Sequence, residues 1–111
     1  MLPSVPWRVE VLDHRVVKEL DALAPDVRQH IGQMVELIES YGMAAMHEPR
    51  FKHLEGKLWE MRPRGRDGIA RVLYVVATGE RAVMVHAFVK KTQKTPRNAL
   101  EVARKRAREV L

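Results

Sequence analysis

Three strand-like runs follow one another closely in the second half of this 111-residue chain, and they constrain its fold more than any other feature. The runs cover residues 58–62, 69–77 and 82–89 and are rich in valine, leucine and aromatic side chains. Glycines punctuate the first gap, and Thr78-Gly79-Glu80 forms a short turn in the second. This spacing predicts an antiparallel meander of three strands.

The first half of the chain predicts one strand followed by two helices. Residues 7–11 alternate between apolar and polar side chains, which is typical of a half-buried strand. Asp13 is suited to cap the first helix, and Pro25 separates it from the second. The second helix carries an apolar stripe at steps of three and four residues: Val27, Ile31, Met34, Ile38 and Tyr41. Residues 43–56 show no sustained period and are predicted to form a loop.

A last helix is expected from Pro96 onward, because apolar residues recur there at helical spacing. Its opposite face is basic and carries Arg97, Arg104, Lys105 and Arg108. The predicted order β-α-α-β-β-β-α indicates a two-layer α+β fold that forms a single domain over residues 1–111. We expect helices to pack on one face of a small, mostly antiparallel sheet.

Positive charge is segregated along the chain. The net charge is +6; residues 1–49 hold four basic and eight acidic side chains, and residues 50–111 hold sixteen basic and six acidic ones. This asymmetry favours a polyanionic partner, either nucleic acid or an acidic protein surface, although a solvated basic face has the same composition. The chain has no long apolar run, no signal-peptide pattern and no cysteine, so we expect a cytoplasmic protein without a membrane partner.

Common catalytic signatures for nucleotide binding, serine hydrolysis and zinc proteolysis are absent. The five histidines are scattered, so neither a metal site nor a cofactor is expected. Candidate functional residues are instead cationic, and they lie on the strands and just after the last one. They are Lys57 and Arg62 around Glu60, then Arg71, and finally Lys90, Lys91 and Lys94.

The predicted meander brings Arg62, Arg71 and the Lys90–Lys91 corner within reach of one another. Such a cluster is costly in isolation but suits a phosphate, and neighbouring positive charges lower the pKa of a lysine toward values useful for proton transfer. Taken singly, each of these residues also fits an ordinary ion pair or an exposed basic turn. His86, on an apolar strand, fits a hydrogen-bonded core histidine as well as a functional one.

Three segments resemble a known family. They are residues 54–62 with Leu-Trp-Glu-Met-Arg, residues 68–74, and residues 86–96 with Phe-Val-Lys-Lys-Thr-Gln-Lys-Thr-Pro. Together they resemble the phage-derived HigB-like branch of the RelE toxin superfamily. The family's characteristic polar positions correspond here to Lys57, Glu60, Arg62, Arg71, Lys90 and Lys91. Its aromatic positions correspond to Phe88 and Tyr74.

The resemblance implies the toxin of a type II toxin–antitoxin system in the bacterial cytoplasm. Such a toxin is a metal-independent endoribonuclease that cleaves messenger RNA on the ribosome and leaves 2′,3′-cyclic phosphate and 5′-hydroxyl ends. The implied partner is an acidic antitoxin with a helix-turn-helix domain, through which operator DNA is also reached.

Within this hypothesis, Arg62 and Arg71 hold the scissile phosphate, and a lysine, Glu60 or His86 transfers protons. RNA binding is expected from Phe88, Lys94, Arg104, Lys105 and Arg108. The alternatives are a non-catalytic module of the same fold that binds nucleic acid or a partner, and a homodimer held by ion pairs between its acidic and basic halves.

Overall fold

The computed structural model describes residues 6–66, 68–91 and 94–111. Its elements in chain order are β1 (Arg8–Val11), α1 (His14–Asp21), α2 (Pro25–Tyr41), a short 3-10 helix (Met43–Ala45), β2 (Phe51–Glu55), β3 (Leu58–Met61), β4 (Arg64–Gly65), β5 (Gly68–Ala77), β6 (Arg81–Val89) and α3 (Arg97–Ala107). None of the helices in this part of the chain is long and apolar enough to cross a membrane.

The sheet has the strand order β1-β6-β5-β3-β2, and the two-residue strand β4 pairs with the start of β5. Only β1 runs parallel to its neighbour; the other pairings are antiparallel. In the meander of β3, β5 and β6, Met61 lies opposite Val72 and Arg71 lies opposite Phe88. The predicted meander and the mostly antiparallel α+β fold are therefore confirmed.

The prediction of an unbroken loop over residues 43–56 is wrong, because this segment contains a 3-10 turn and the edge strand β2. In β2 only Phe51 is buried, so its residues lack the alternation that identifies a half-buried strand. Pairing with β3 defines this strand instead. The strand β4 was also missed, since two residues are too few to show any period.

The helices divide between the two faces of the sheet. Core residues of α1 and α2, such as Val16 and Met34, pack with Val72 and Tyr74 of β5. The alanines of α3 pack with a second cluster that includes Leu73 of the same strand. Successive strand residues point to opposite faces, so α3 lies across the sheet from α2. The expectation that the helices share one face is wrong for α3, because β5 is apolar on both faces and both need covering.

Tyr41 was predicted to extend the apolar stripe of α2, and its placement is different. The four earlier residues of the stripe are buried, whereas Tyr41 is 69% exposed. Tyr41 is the last residue of α2, and the chain turns away immediately afterwards at Gly42, which has φ +76° and ψ 170°. The buried part of the stripe therefore ends at Ile38, and Tyr41 lies outside the core.

Two glycines of this region give a matched test of the fold. A Cβ atom on Gly42 would lie 2.8 Å from Nε1 of Trp7, and its backbone conformation is one that only glycine adopts readily. We expect Gly42→Ala to lower the free energy of unfolding by about 1–3 kcal/mol. Gly32 lies inside α2 with nothing within 4 Å of the added carbon, so Gly32→Ala should raise it by about 0.5–1 kcal/mol. Urea unfolding of both variants checks the pair, and a Gly42→Ala protein as stable as the parent would contradict the Trp7 contact.

Candidate functional site

A fully buried carboxylate lies near the end of β3. Glu60 on β3 is 0% exposed and lies opposite Leu73, so it points to the face that α3 covers. Its Oε1 atom accepts a hydrogen bond from Nε of Arg62 over 3.0 Å and lies 3.5 Å from Nε of Arg71. The hydroxyl of Thr95, just before α3, donates to Oε2. Both oxygens are engaged, as a buried carboxylate requires.

Arg71 is the second buried charge, and its side chain is 7% exposed. Besides its ion pair with Glu60, it donates a hydrogen bond from Nη1 to the carbonyl oxygen of Ala70 over 2.9 Å. Burial lowers the pKa of Arg71, Glu60 opposes this effect, and the nearby charges of Arg62 and Arg64 add to it. An arginine remains protonated under such conditions, so Arg71 is a fixed positive charge.

Arg62 and Arg71 line a strongly basic depression of about 390 Å³, which we call the arginine cleft. Its lining consists of His30, Pro49, Arg50, Arg62, Arg64, Arg71 and Lys90. The pKa of Lys90 is lowered by desolvation and then by the positive charges of Arg71 and Arg62. An excess of fixed positive charge around a small depression suits a phosphate group.

The arginine cleft lies where β3 and β6 end and β5 begins. Arg62 follows the last residue of β3, Arg71 lies near the start of β5, and Lys90 follows β6. Backbone hydrogen bonds continue past the strands here: Lys90 donates to Ile69 over 2.8 Å, and Arg62 donates to Arg50 over 2.9 Å. The antiparallel meander thus gathers residues that are far apart in sequence.

Helix α2 holds the segment that carries Arg64. The backbone N–H of Arg64 donates to Nδ1 of His30 over 3.0 Å, and the backbone N–H of Arg66 donates to the carboxylate of Asp26. This second bond is the main reason why the pKa of Asp26 is lowered. Gly65 packs against the same carboxylate, because an added Cβ atom would lie 2.5 Å from it. Residues 64–66 are therefore held against α2 by two hydrogen bonds.

The predicted site residues divide into two groups. Arg62, Arg71 and Lys90 line one cleft, as expected from the predicted meander, whereas Lys91 of the same prediction does not line it; Glu60 contacts both arginines. Lys91 and Lys94 are exposed beyond β6, while residues 92 and 93 between them lie outside the described part of the chain. Phe88 is half-buried against the α3-side cluster, 5.2 Å from the ring of His86. His86 is itself paired with Glu19 of α1 over 3.0 Å.

Lys57 lies away from the arginine cleft. It precedes β3, whereas Arg62 follows that strand, and five residues of extended chain span roughly 16–17 Å. Lys57 instead borders a second depression, the α3 groove, together with Arg104 and Arg108 of the last helix. Arg104 is bound there to Glu55 through contacts of 2.6 and 3.0 Å. Lys105 is exposed on the same helix.

Several lining residues were not singled out from the sequence. Arg64 lies in the run Arg62-Pro63-Arg64-Gly65-Arg66, whose density of arginine just before a strand was a usable signal. Arg50 and His30 had no such signal, because one falls in the segment predicted as a loop and the other on a helix. Thr95 is a short polar side chain, and only the folded chain shows its contact with Glu60.

Across residues 6–66, 68–91 and 94–111, no three side chains of the types His, Cys, Asp and Glu gather in a way that could hold a metal ion. The polar side chains that line the arginine cleft offer guanidinium, ammonium and imidazole groups.

Comparison with known protein families identifies one to which the chain is similar. The model of the family described as phage-derived protein Gp49-like (DUF891) matches residues 18–108, which is well over half of the chain. That range includes every residue of the arginine cleft. No curated protein matches the chain.

Glu55 on β2 and Glu60 on β3 each pair with an arginine, but only Glu60 is buried, and this difference gives a stability test. Glu60→Ala would leave Arg71 buried without its carboxylate, so we expect the free energy of unfolding to fall by about 3–5 kcal/mol. Glu55→Ala removes an exposed partner of Arg104 and should have a much smaller effect, because solvent screens that pair. Chemical denaturation compares the two variants, and equal losses would show that burial of Glu60 has no special role.

Proposed function

The chain belongs to the Gp49-like family of phage-derived proteins, a toxin-like family related to the RelE/HigB type, and from this premise we propose that it cleaves messenger RNA. In this proposal it is the toxin of a type II toxin–antitoxin system and acts in the cytoplasm on messages bound to the ribosome. The arginine cleft is the observation that supports the proposal most strongly, because it concentrates phosphate-binding groups within one small depression.

The proposed reaction is an internal transesterification. The ribose 2′-hydroxyl loses its proton and attacks the adjacent phosphorus, and the bond from phosphorus to the 5′-oxygen breaks. The products are a 2′,3′-cyclic phosphate and a 5′-hydroxyl, which takes up a proton. Negative charge builds up on the phosphate oxygens during this step, and Arg62 and Arg71, which line the cleft, would stabilise it.

Lys90 is the best candidate for proton transfer in this scheme. Its pKa is lowered by its surroundings, which moves it toward the range useful for catalysis near neutral pH. Glu60 was a candidate for the same task, but it is fully buried and its two oxygens are held by Arg62, Arg71 and Thr95. We therefore assign Glu60 the role of positioning Arg71 rather than that of a base.

The cationic cleft provides the main test of this function. We expect Arg71→Ala to abolish growth arrest on induction, and Arg62→Ala to slow cleavage about 10²–10³-fold, because each removes a donor to the developing charge. Arg71→Lys keeps the charge that Glu60 needs but loses the planar fork, so it should fold and remain impaired. Primer extension on a defined message with stalled ribosomes measures cleavage directly.

Arg8→Ala is the matched control, since Arg8 lies on the edge strand β1 and is exposed. It should arrest growth like the parent. A folded Arg71→Ala protein with parental toxicity would overturn the assignment of the cleft. Binding of the ribosome by the parent protein without any cleavage would instead indicate a non-catalytic binding module.

We also propose an acidic antitoxin with a helix-turn-helix domain as the partner, and operator DNA would be reached only through it. The α3 groove supports this proposal, since it combines the basic residues Lys57 and Arg108 with the apolar side chains of Leu58, Ala107 and Leu111. An acidic segment with an apolar face would complement both features.

Association with this partner should be fast and sensitive to salt. We expect the association rate with an acidic protein encoded beside this one to fall steeply as ionic strength rises, because opposite charges steer the encounter. Changing Arg104, Lys105 and Arg108 together to serine should lower the rate and flatten its salt dependence, whereas Arg8→Ser should leave both nearly unchanged. Stopped-flow measurements test this, and a rate indifferent to salt and to the triple substitution would favour a purely apolar interface.

A further inference from the structure

We infer that the arginine cleft continues into a nucleobase-binding subsite at the end of α2, where the ring of Tyr41 stacks on an unpaired base and Arg50 contacts the phosphate beside it. The inference rests on the proposed function and extends it, because it states which way the RNA strand leaves the cleft.

The first observation is the exposure of Tyr41. Tyr41 is 69% exposed, although it continues a helix stripe whose earlier members are buried. A single exposed apolar residue is ordinary on a protein surface, so exposure alone decides nothing. Single-stranded RNA, however, is bound largely by stacking its bases on exposed aromatic rings beside positively charged grooves. The surroundings of Tyr41 must therefore show whether a nucleic-acid strand could reach it.

The second observation is that Tyr41 and the arginine cleft share a border. Tyr41 lines two shallow depressions, and Arg50 lines both of them as well as the arginine cleft. His30 also lines the arginine cleft and one of these depressions, while Pro49 lines the arginine cleft and the other. The surface from Arg71 to Tyr41 is thus continuous, and Arg50 lies between the two ends.

The third observation is a change in charge along this surface. The arginine cleft is lined only by basic, imidazole and proline side chains, whereas Glu36 and Glu48 line the depressions beside Tyr41. These carboxylates disfavour a phosphate or an acidic peptide beside Tyr41 itself, but they do not disfavour a neutral base. The surface therefore fits one phosphate in the arginine cleft and one base stacked on Tyr41. Arg50 lies between them and contacts the phosphate beside that base.

The two tyrosines of the chain allow a direct test, because Tyr41 is exposed and Tyr74 is fully buried. The probe is a short single-stranded oligoribonucleotide with 2′-O-methyl riboses, which has no 2′-hydroxyl and cannot be cleaved. In protein with isotope-labelled tyrosine rings, we expect the Tyr41 signals to move upfield on titration and those of Tyr74 to stay in place. An abasic strand of the same length should bind the cleft without moving the Tyr41 signals.

The same subsite should appear in affinity and turnover. Stacking energies measured by alanine substitution correspond to at least about five-fold in affinity, so Tyr41→Ala should weaken oligonucleotide binding by roughly that factor or more. On ribosome-bound message it should raise KM more than it lowers kcat, and Tyr41→Phe should restore both. Val17→Ala is the matched control, because Val17 is an exposed apolar residue of α1 that lines neither the arginine cleft nor the depressions beside Tyr41.

The outcomes separate the subsite from the function on which it rests. If Arg62→Ala weakens binding but Tyr41→Ala does not, and the Tyr41 signals stay in place, the subsite is wrong and the phosphate site stands. If the oligonucleotide fails to bind, or binds without dependence on Arg62, the subsite is wrong, and primer extension on ribosome-bound message then decides the proposed function separately. If the Tyr41 signals move only with the acidic partner protein, Tyr41 is a protein contact and the inference is overturned.

Discussion

The rest of the structure depends on the carboxylate of Glu60, which is removed from water and surrounded by positive charge. A buried carboxylate is tolerable only with fixed partners, and Glu60 has them on two strands and ahead of a helix. Arg62 and Arg71 are thereby held in place, and the start of α3 is tied to β3 through Thr95. The same contact that solves a folding problem for Glu60 also orders the two arginines on which the proposed chemistry depends. Stability and function therefore share a single cluster of side chains.

The apolar character of β5 on both faces determines where this cluster is accessible. Helix α2 packs on one face and α3 on the other, so neither broad face of the central strands is open. The end of the sheet where β3 and β6 finish remains accessible, and the charged side chains emerge there. Helix α2 also borders this opening through His30, which binds the backbone of Arg64. Packing of the core on both faces thus leaves the functional residues at one end of the strands rather than on a face of the sheet.

Sequence patterns predicted the parts of the fold that depend on neighbouring residues. Hydrophobic periodicity predicted the three helices and the meander, and the meander alone placed Arg62 and Arg71 together. The edge strand β2 was missed because its stability comes from pairing with β3 rather than from its own pattern. The face of α3 and the contact of Thr95 with Glu60 depend on residues distant in sequence, which periodicity does not encode. Lys57 was grouped with the other site residues through the family resemblance; it precedes β3 and Arg62 follows β3, so the length of that strand separates the two residues.

Positive charge by itself would give the arginine cleft affinity for phosphate without giving it catalytic power. Groups that bind the ground state and the transition state equally lower KM but do not raise kcat. A rate enhancement requires donors that are fixed where charge develops and do not reorganise as the reaction proceeds. Arg71 meets this requirement better than its neighbours, because Glu60 and the carbonyl of Ala70 hold its guanidinium on one side. Arg50 and Arg64 are exposed and suit strand binding. The cleft would then combine two arginines held by Glu60, Arg62 and Arg71, with two exposed ones, and Glu60 is the residue that creates this difference.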